Sequence, residues 1–212
     1  MPITDLLDDA HANALLFFRE HPELAALVDD IRAVFADVRA LPSLAAEPAI
    51  VFLGVAETSF GAAAQQAASG QLPPSFLASR GALEAALIGW YVQLRPQLLA
   101  VWNARTEGDE AERRVRETFR IDDLRDALRE ANAAVARQFG IAYDKTLNYG
   151  AELPQGLAIE VRHAVYSATF SALMSLFVFL VAFPQVLTAA GVAERLVALA
   201  DRLTTCFPDD AR

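Results

Sequence analysis

A charged pair interrupts an apolar helical stripe near the middle of this 212-residue chain. Arg80 and Glu84 are four residues apart, so in a helix they share a face and can form an ion pair. Phe76, Leu83 and Leu87 lie on the same face, which predicts that the pair sits on the buried side of the helix. Burial of two charges costs desolvation energy and adds little stability. The pair is therefore a candidate binding site, with Arg80 as the anchor for an anion or a partner and Glu84 orienting it. The structural alternative is that both side chains reach to the edge of the stripe, or that the pair only fixes packing.

A second group of polar and aromatic residues lies at residues 143–156. We expect residues 140–156 to be an irregular connection between two helices, because glycine and proline recur there. Connections held by a rigid scaffold often carry function. Tyr143 and Glu152 therefore join Arg80 and Glu84 as candidate binding residues, although Gly150 and the nearby proline could also serve only to shape the turn.

These two segments together resemble a known family. Arg-Gly-Ala-Leu-Glu at residues 80–84, followed by Tyr143 and by Gly-Ala-Glu-Leu-Pro at 150–154, is similar to uncharacterised bacterial helical proteins related to the HEPN group. That group contains ribonucleases of toxin and phage-defence systems together with inactive relatives. The active members carry an arginine followed after four to six residues by a histidine, a spacing that none of His11, His21 and His163 has here. The resemblance therefore implies a non-catalytic binding or interaction module, with a divergent metal-independent ribonuclease as the alternative.

A carboxylate-bridged metal site is a further alternative. Helical bundles build such sites from single glutamates on two helices and Glu-x-x-His units on two others. Glu160 and His163 form one such unit, and Glu57 and Glu84 are the candidates for the single glutamates. Arg80 would compete for Glu84, so the preferred reading includes no cofactor.

The composition and the net charge argue against one class of function, nonspecific binding to nucleic acids. The formal net charge is −9 and the sequence pI is about 4.8. An acidic protein lacks the basic surface that binds nucleic-acid phosphates nonspecifically. The expected partner is instead another protein or a small anionic ligand, and a homodimer is the default oligomer. The single cysteine, and the absence of a signal-peptide pattern near the start, predict a cytoplasmic location. Lys145 is the only lysine, which we interpret as a coding bias.

Helical spacing of apolar residues recurs along the chain, whereas alternating runs of β-branched residues do not. The clearest stripe runs from Leu24 to Leu41 at intervals of three and four residues. Prolines and glycines mark the expected ends of helices. We predict helices at 4–21, 22–41, 48–69, 73–94, 121–139, 157–183 and 192–207, with a linker at 42–48 and a charged helix or connector at 103–120.

Residues 164–183 contain no charged side chain. A run of this length could cross a bilayer. Ser167, Ser171 and Ser175 instead form a small polar stripe, and a helix that is apolar all round is the normal centre of a larger bundle. We therefore predict a buried central helix, with a single-span membrane protein as the alternative.

The prediction is one all-α domain over residues 1–212. It is a bundle of about six or seven helices around the long apolar helix. It divides into an N-terminal helical pair at 1–47, a core bundle at 48–183 and a C-terminal helix at 185–207.

Overall fold

The computed structural model of the protein describes residues 3–151, 157–189 and 191–207, which are almost entirely helical and include no strand. The all-α prediction is therefore confirmed. A short 3-10 turn, Ala104–Thr106, follows the sixth helix. In chain order the helices are α1 (Ile3–Glu20), α2 (Pro22–Ala40), α3 (Pro42–Ala45), α4 (Ile50–Ala68), α5 (Leu72–Leu94), α6 (Leu98–Asn103), α7 (Asp109–Thr118), α8 (Ile121–Ala131), α9 (Ala133–Ala151), α10 (Leu157–Val181), α11 (Pro184–Ala189) and α12 (Val192–Cys206).

Helices α4, α5 and α10 pack against one another and form the centre of the bundle. Among the described residues, α10 contains the one segment, Val161–Val181, that is long and apolar enough to cross a membrane, and 83% of its most apolar window is buried inside the structure. Ser167, Ser171 and Ser175 are all buried. The prediction of a buried apolar central helix is confirmed.

The N-terminal helices cover one side of this centre. The predicted stripe of α2 is buried from Leu24 to Val38, and α2 packs on α4 and α12. Two ion pairs flank the α2–α12 contact. Arg195 Nη1 lies 2.7 Å from Asp37 Oδ2, and Arg202 pairs with Asp30. Because these pairs are largely exposed, the buried apolar stripe supplies most of the stabilisation.

Helices α8 and α9 cover the opposite side of α5 and α10 around a second apolar cluster that includes Trp90 and Phe139. Helix α7 lies in the charged segment before α8, and none of its residues is buried. This is expected for a solvated connector.

Two predictions for this region are wrong. The expected single helix at 121–139 breaks at Asn132, whose backbone is extended (φ −156°, ψ 90°) and whose side-chain Oδ1 accepts a hydrogen bond from the Val135 N–H at 3.1 Å. The expected irregular connection at 140–156 is helical as far as Ala151, and residues 152–156 lie outside the described residues. Breaks such as the one at Asn132 divide the chain into more helical segments than predicted.

Gly89 sets the distance between the three central helices. A Cβ atom at this position would lie 2.8 Å from Phe52 Cβ on α4 and 3.2 Å from the Phe179 ring on α10. Both neighbours are buried, and Phe52 Cβ is fixed to its backbone, so it cannot move away without moving α4. Only glycine therefore permits the observed packing at this crossing.

We expect Gly89→Ala to destabilise the protein by about 1–3 kcal/mol, because overpacking outweighs the gain in helix propensity. Gly61→Ala on α4 is the matched control, since a Cβ there meets no atom within 4 Å. That control should be neutral or stabilise by about 0.5–1 kcal/mol. Urea denaturation of both variants measures the effect. Equal stability of the two variants would contradict the close approach at Gly89.

Candidate functional site

Helix α5 carries Arg80 and Glu84 one turn apart. Arg80 Nε lies 3.7 Å from Glu84 Oε1, and the two side chains are 35% and 34% exposed. Leu83 and Leu87 of the same helix are fully buried. The pair therefore lies at the margin of the buried face, which agrees with the alternative in which both side chains reach to the edge of the stripe. Both side chains extend toward solvent from an apolar helix, which avoids most of the desolvation cost.

Tyr143 on α9 reaches across to this pair. Its hydroxyl donates a hydrogen bond of 2.8 Å to Glu84 Oε1, and its ring stacks on Phe139 with 5.8 Å between centroids. Phe139 is fully buried, so α9 fixes the Tyr143 ring against the core while its hydroxyl points to the carboxylate. The structure thus brings together Arg80, Glu84 and Tyr143 from segments distant in sequence. We call these three residues the α5–α9 polar cluster.

The environment keeps Tyr143 protonated. Burial raises the pKa of its phenol well above the usual range, and the hydrogen bond to Glu84 and the charge of that carboxylate act in the same direction. The guanidinium groups of Arg80 and Arg125 oppose this effect on the pKa without cancelling it. Tyr143 is therefore a neutral hydrogen-bond donor near neutral pH and cannot serve as a base or a phenolate nucleophile.

Arg125 on α8 extends the cluster, although the sequence analysis does not select it. Its guanidinium carbon lies 5.4 Å from the centroid of the Tyr143 ring, and Nη2 lies 3.4 Å from Asp144 Oδ1. A Cβ at Gly140 would lie 3.3 Å from the same Nη2, so the glycine makes room for the guanidinium beside α9. The sequence gives little indication that Arg125 belongs to the cluster. Its one distinguishing feature is that it directly follows Leu124, which is buried.

The remaining candidates are not part of this cluster in the structure. Glu152 lies outside the described residues. Glu57 is 19% exposed and pairs with Arg39 of α2. His163 is half-buried on α10 beside Tyr166, with 6.5 Å between ring centroids.

The carboxylate-bridged metal alternative gains no support from the part of the chain that the structure describes. There, no three His, Cys, Asp or Glu side chains come close enough to hold a metal ion. The side chain of Glu160 lies outside that part, although α10 includes its backbone. Glu84, the other glutamate proposed for this site, interacts with Tyr143 and Arg80.

Comparison of the chain with protein-family models, curated proteins and solved structures finds no match. The resemblance to the HEPN group therefore stays a prediction. The geometry of the α5–α9 polar cluster is what bears on function.

We expect Tyr143→Phe to lower the free energy of unfolding by about 1–2 kcal/mol at pH 8, because it removes a hydrogen bond to a carboxylate. The pKa of Tyr143 is raised on folding, so its stabilisation is complete below the unfolded value near 10 and declines above it. The difference between wild type and Tyr143→Phe should therefore shrink as the pH rises beyond about 10. Urea denaturation from pH 8 to pH 11 measures it.

A matched control for that experiment is Glu47→Gln, which removes a carboxylate that accepts a hydrogen bond of 2.9 Å from Gln93 Nε2. This change leaves Tyr143 and its neighbours intact and shows how the loss of another hydrogen bond to a carboxylate behaves over the same pH range. A difference between wild type and Tyr143→Phe that stays constant up to pH 11 would contradict the raised pKa of Tyr143.

Proposed function

We propose that the protein is a non-catalytic binding or interaction module of HEPN-like type, in which Arg80 anchors an anionic group. The α5–α9 polar cluster is the observation that carries this proposal. Its ligand is a small anion or an acidic group on a protein partner. The proposal includes a cytoplasmic location and a homodimer as the default assembly.

Two properties of the cluster and one of the sequence favour binding over catalysis. Cleavage of a phosphodiester needs a general base and a group that stabilises the developing negative charge. Glu84 already accepts the hydrogen bond of Tyr143 and faces Arg80, and Tyr143 keeps its proton. The arginine–histidine spacing of the active HEPN ribonucleases is also absent from the sequence. Arg80 can thus provide positive charge, whereas the one carboxylate of the cluster is already engaged by Tyr143 and Arg80.

The position of Arg80 suits an anion. A guanidinium group carries five N–H donors in a planar fork. The contact of 3.7 Å with Glu84 involves only the Nε atom of Arg80. About a third of the side chain is accessible, and Glu84, which Tyr143 holds by a hydrogen bond, faces one side of the guanidinium group. Fixed orientation lowers the entropy cost of binding. The net charge of −9 opposes large polyanions, so a compact oxyanion fits better than a nucleic acid.

Inorganic phosphate is a simple probe of this site. We expect phosphate to raise the melting temperature of the wild-type protein at low ionic strength, because a ligand that binds only the folded state stabilises it. Arg80→Gln should lose this shift. Arg114→Gln, an exposed arginine on α7, makes the same change in net charge elsewhere and should keep the shift. Equal shifts in all three proteins would contradict a role for Arg80 in anion binding.

Total cellular RNA separates binding from catalysis. We expect the purified protein to leave RNA intact in the presence of a chelator, because Glu84 is engaged by Tyr143 and Arg80 and no arginine–histidine pair of the active HEPN type is present in the sequence. The Arg80→Gln variant serves as the control for contaminating nucleases, since these would act equally in both preparations. Cleavage by wild type that disappears in Arg80→Gln would overturn the non-catalytic proposal and favour the divergent ribonuclease.

A further inference from the structure

A groove of about 510 Å³ lies over one face of α10, between α9 and α12. Tyr166, Phe170, Met174 and Phe177 of α10 form its floor, with Ile141 on the α9 side and Leu203 on the α12 side. The volume lies within the range of about 300–1,000 Å³ that is typical of small-molecule sites. Phe170 and Phe177 are only partly covered, and Ile141 is 44% exposed, so the protein leaves apolar surface open here.

One cation lines this apolar groove. Lys145 projects from α9, and its Nζ lies 4.6 Å from the centroid of the Tyr166 ring and 5.9 Å from that of Phe170. These contacts place the ammonium group against the aromatic floor and orient it there. Gln138 and Thr204 add polar side chains to the part of the lining that the structure describes. The groove therefore combines an apolar lining with a positive charge and hydrogen-bonding groups.

We propose that this groove binds an amphipathic monocarboxylate, a fatty acid of medium chain length. The alkyl chain lies along Phe170, Met174 and Phe177, and the carboxylate pairs with Lys145. An ammonium group has three N–H donors, so Lys145 can donate one to the ligand while it keeps other contacts. Sites of this kind are mostly apolar, with few polar groups that fix the orientation of the ligand.

Charge explains why the ligand is a carboxylate rather than a neutral lipid. The net charge of −9 repels anions in general, so an anionic ligand binds only where a local cation offsets that repulsion. Lys145 provides this cation inside an apolar surface, where the interaction is stronger than in open water. The site is built from residues other than Arg80, Glu84 and Tyr143, so it does not depend on the anion site proposed above.

Calorimetric titration with decanoate, below the concentration at which it forms micelles, tests the proposal. The expected result is saturable binding of one decanoate per chain. Decanol has the same chain without the charge and should bind about tenfold more weakly or worse, because it cannot pair with Lys145. The absence of saturable decanoate binding, or equal affinity for decanol, would overturn the proposal.

Three variants locate the ligand. Lys145→Gln should weaken decanoate binding about tenfold or more, whereas Arg137→Gln, on the same helix and with the same loss of charge, should leave it unchanged. Ala200→Phe places a ring in the groove and should reduce binding of both decanoate and decanol. Circular dichroism confirms that each variant is folded. Unchanged decanoate affinity in Lys145→Gln, or in folded Ala200→Phe, would overturn the proposed site.

The Arg80→Gln variant distinguishes this site from the one on α5. It should bind decanoate with wild-type affinity, even if it loses its response to phosphate. Loss of decanoate binding in Arg80→Gln would place the carboxylate outside the groove and overturn the assignment to Lys145. The phosphate experiment tests the site at Arg80, and the decanoate experiment tests the groove. If one proposal fails, the other is therefore still tested by its own measurement.

Discussion

Gly89 lies where α4, α5 and α10 meet, with Phe52 and Phe179 so close that no side chain fits between them. This contact lets the backbones of α4 and α5 approach each other and α10, a helix whose side chains are apolar on almost every side. Small and apolar side chains then interdigitate over the whole crossing, as the close packing of protein interiors requires. The outer helices cover the faces of α10 that α4 and α5 do not contact. Amphipathic helices such as α2 and α12 can do this, because each has one apolar face.

The α5–α9 polar cluster follows from this arrangement. Because α5 belongs to the centre and α9 to the outer layer, their junction is a boundary between buried and solvated surface. Arg80 and Glu84 occupy the solvated edge of α5, and Tyr143 reaches them from a ring that is anchored on Phe139. A polar contact at such a boundary has its partners fixed by the core and its charged groups accessible to a ligand. That combination is what a binding site needs and what neither a buried nor a fully exposed ion pair provides.

The sequence predicts those features that depend on one helix at a time. The apolar stripe of α2 and the unbroken apolar run of α10 each identify a helix and its buried surface, and the structure agrees with both. Features that depend on two elements were missed. Asn132 ends α8 and caps α9, but the apolar spacing continues across it and hides the break. Gly140 looks like a helix breaker, whereas it makes room for Arg125. The edge position of Arg80 depends on which neighbours pack on α5, and helical spacing alone does not decide between a buried and an edge position.

The order of the helices along the chain has a consequence for biosynthesis. A ribosome completes α4 and α5 long before it reaches α10, so both helices have left the exit tunnel when α10 emerges. The two helices that contact α10 most extensively are therefore available when its apolar segment leaves the exit tunnel. The chain order thus shortens the time for which a segment resembling a membrane anchor is exposed to the machinery that inserts such anchors.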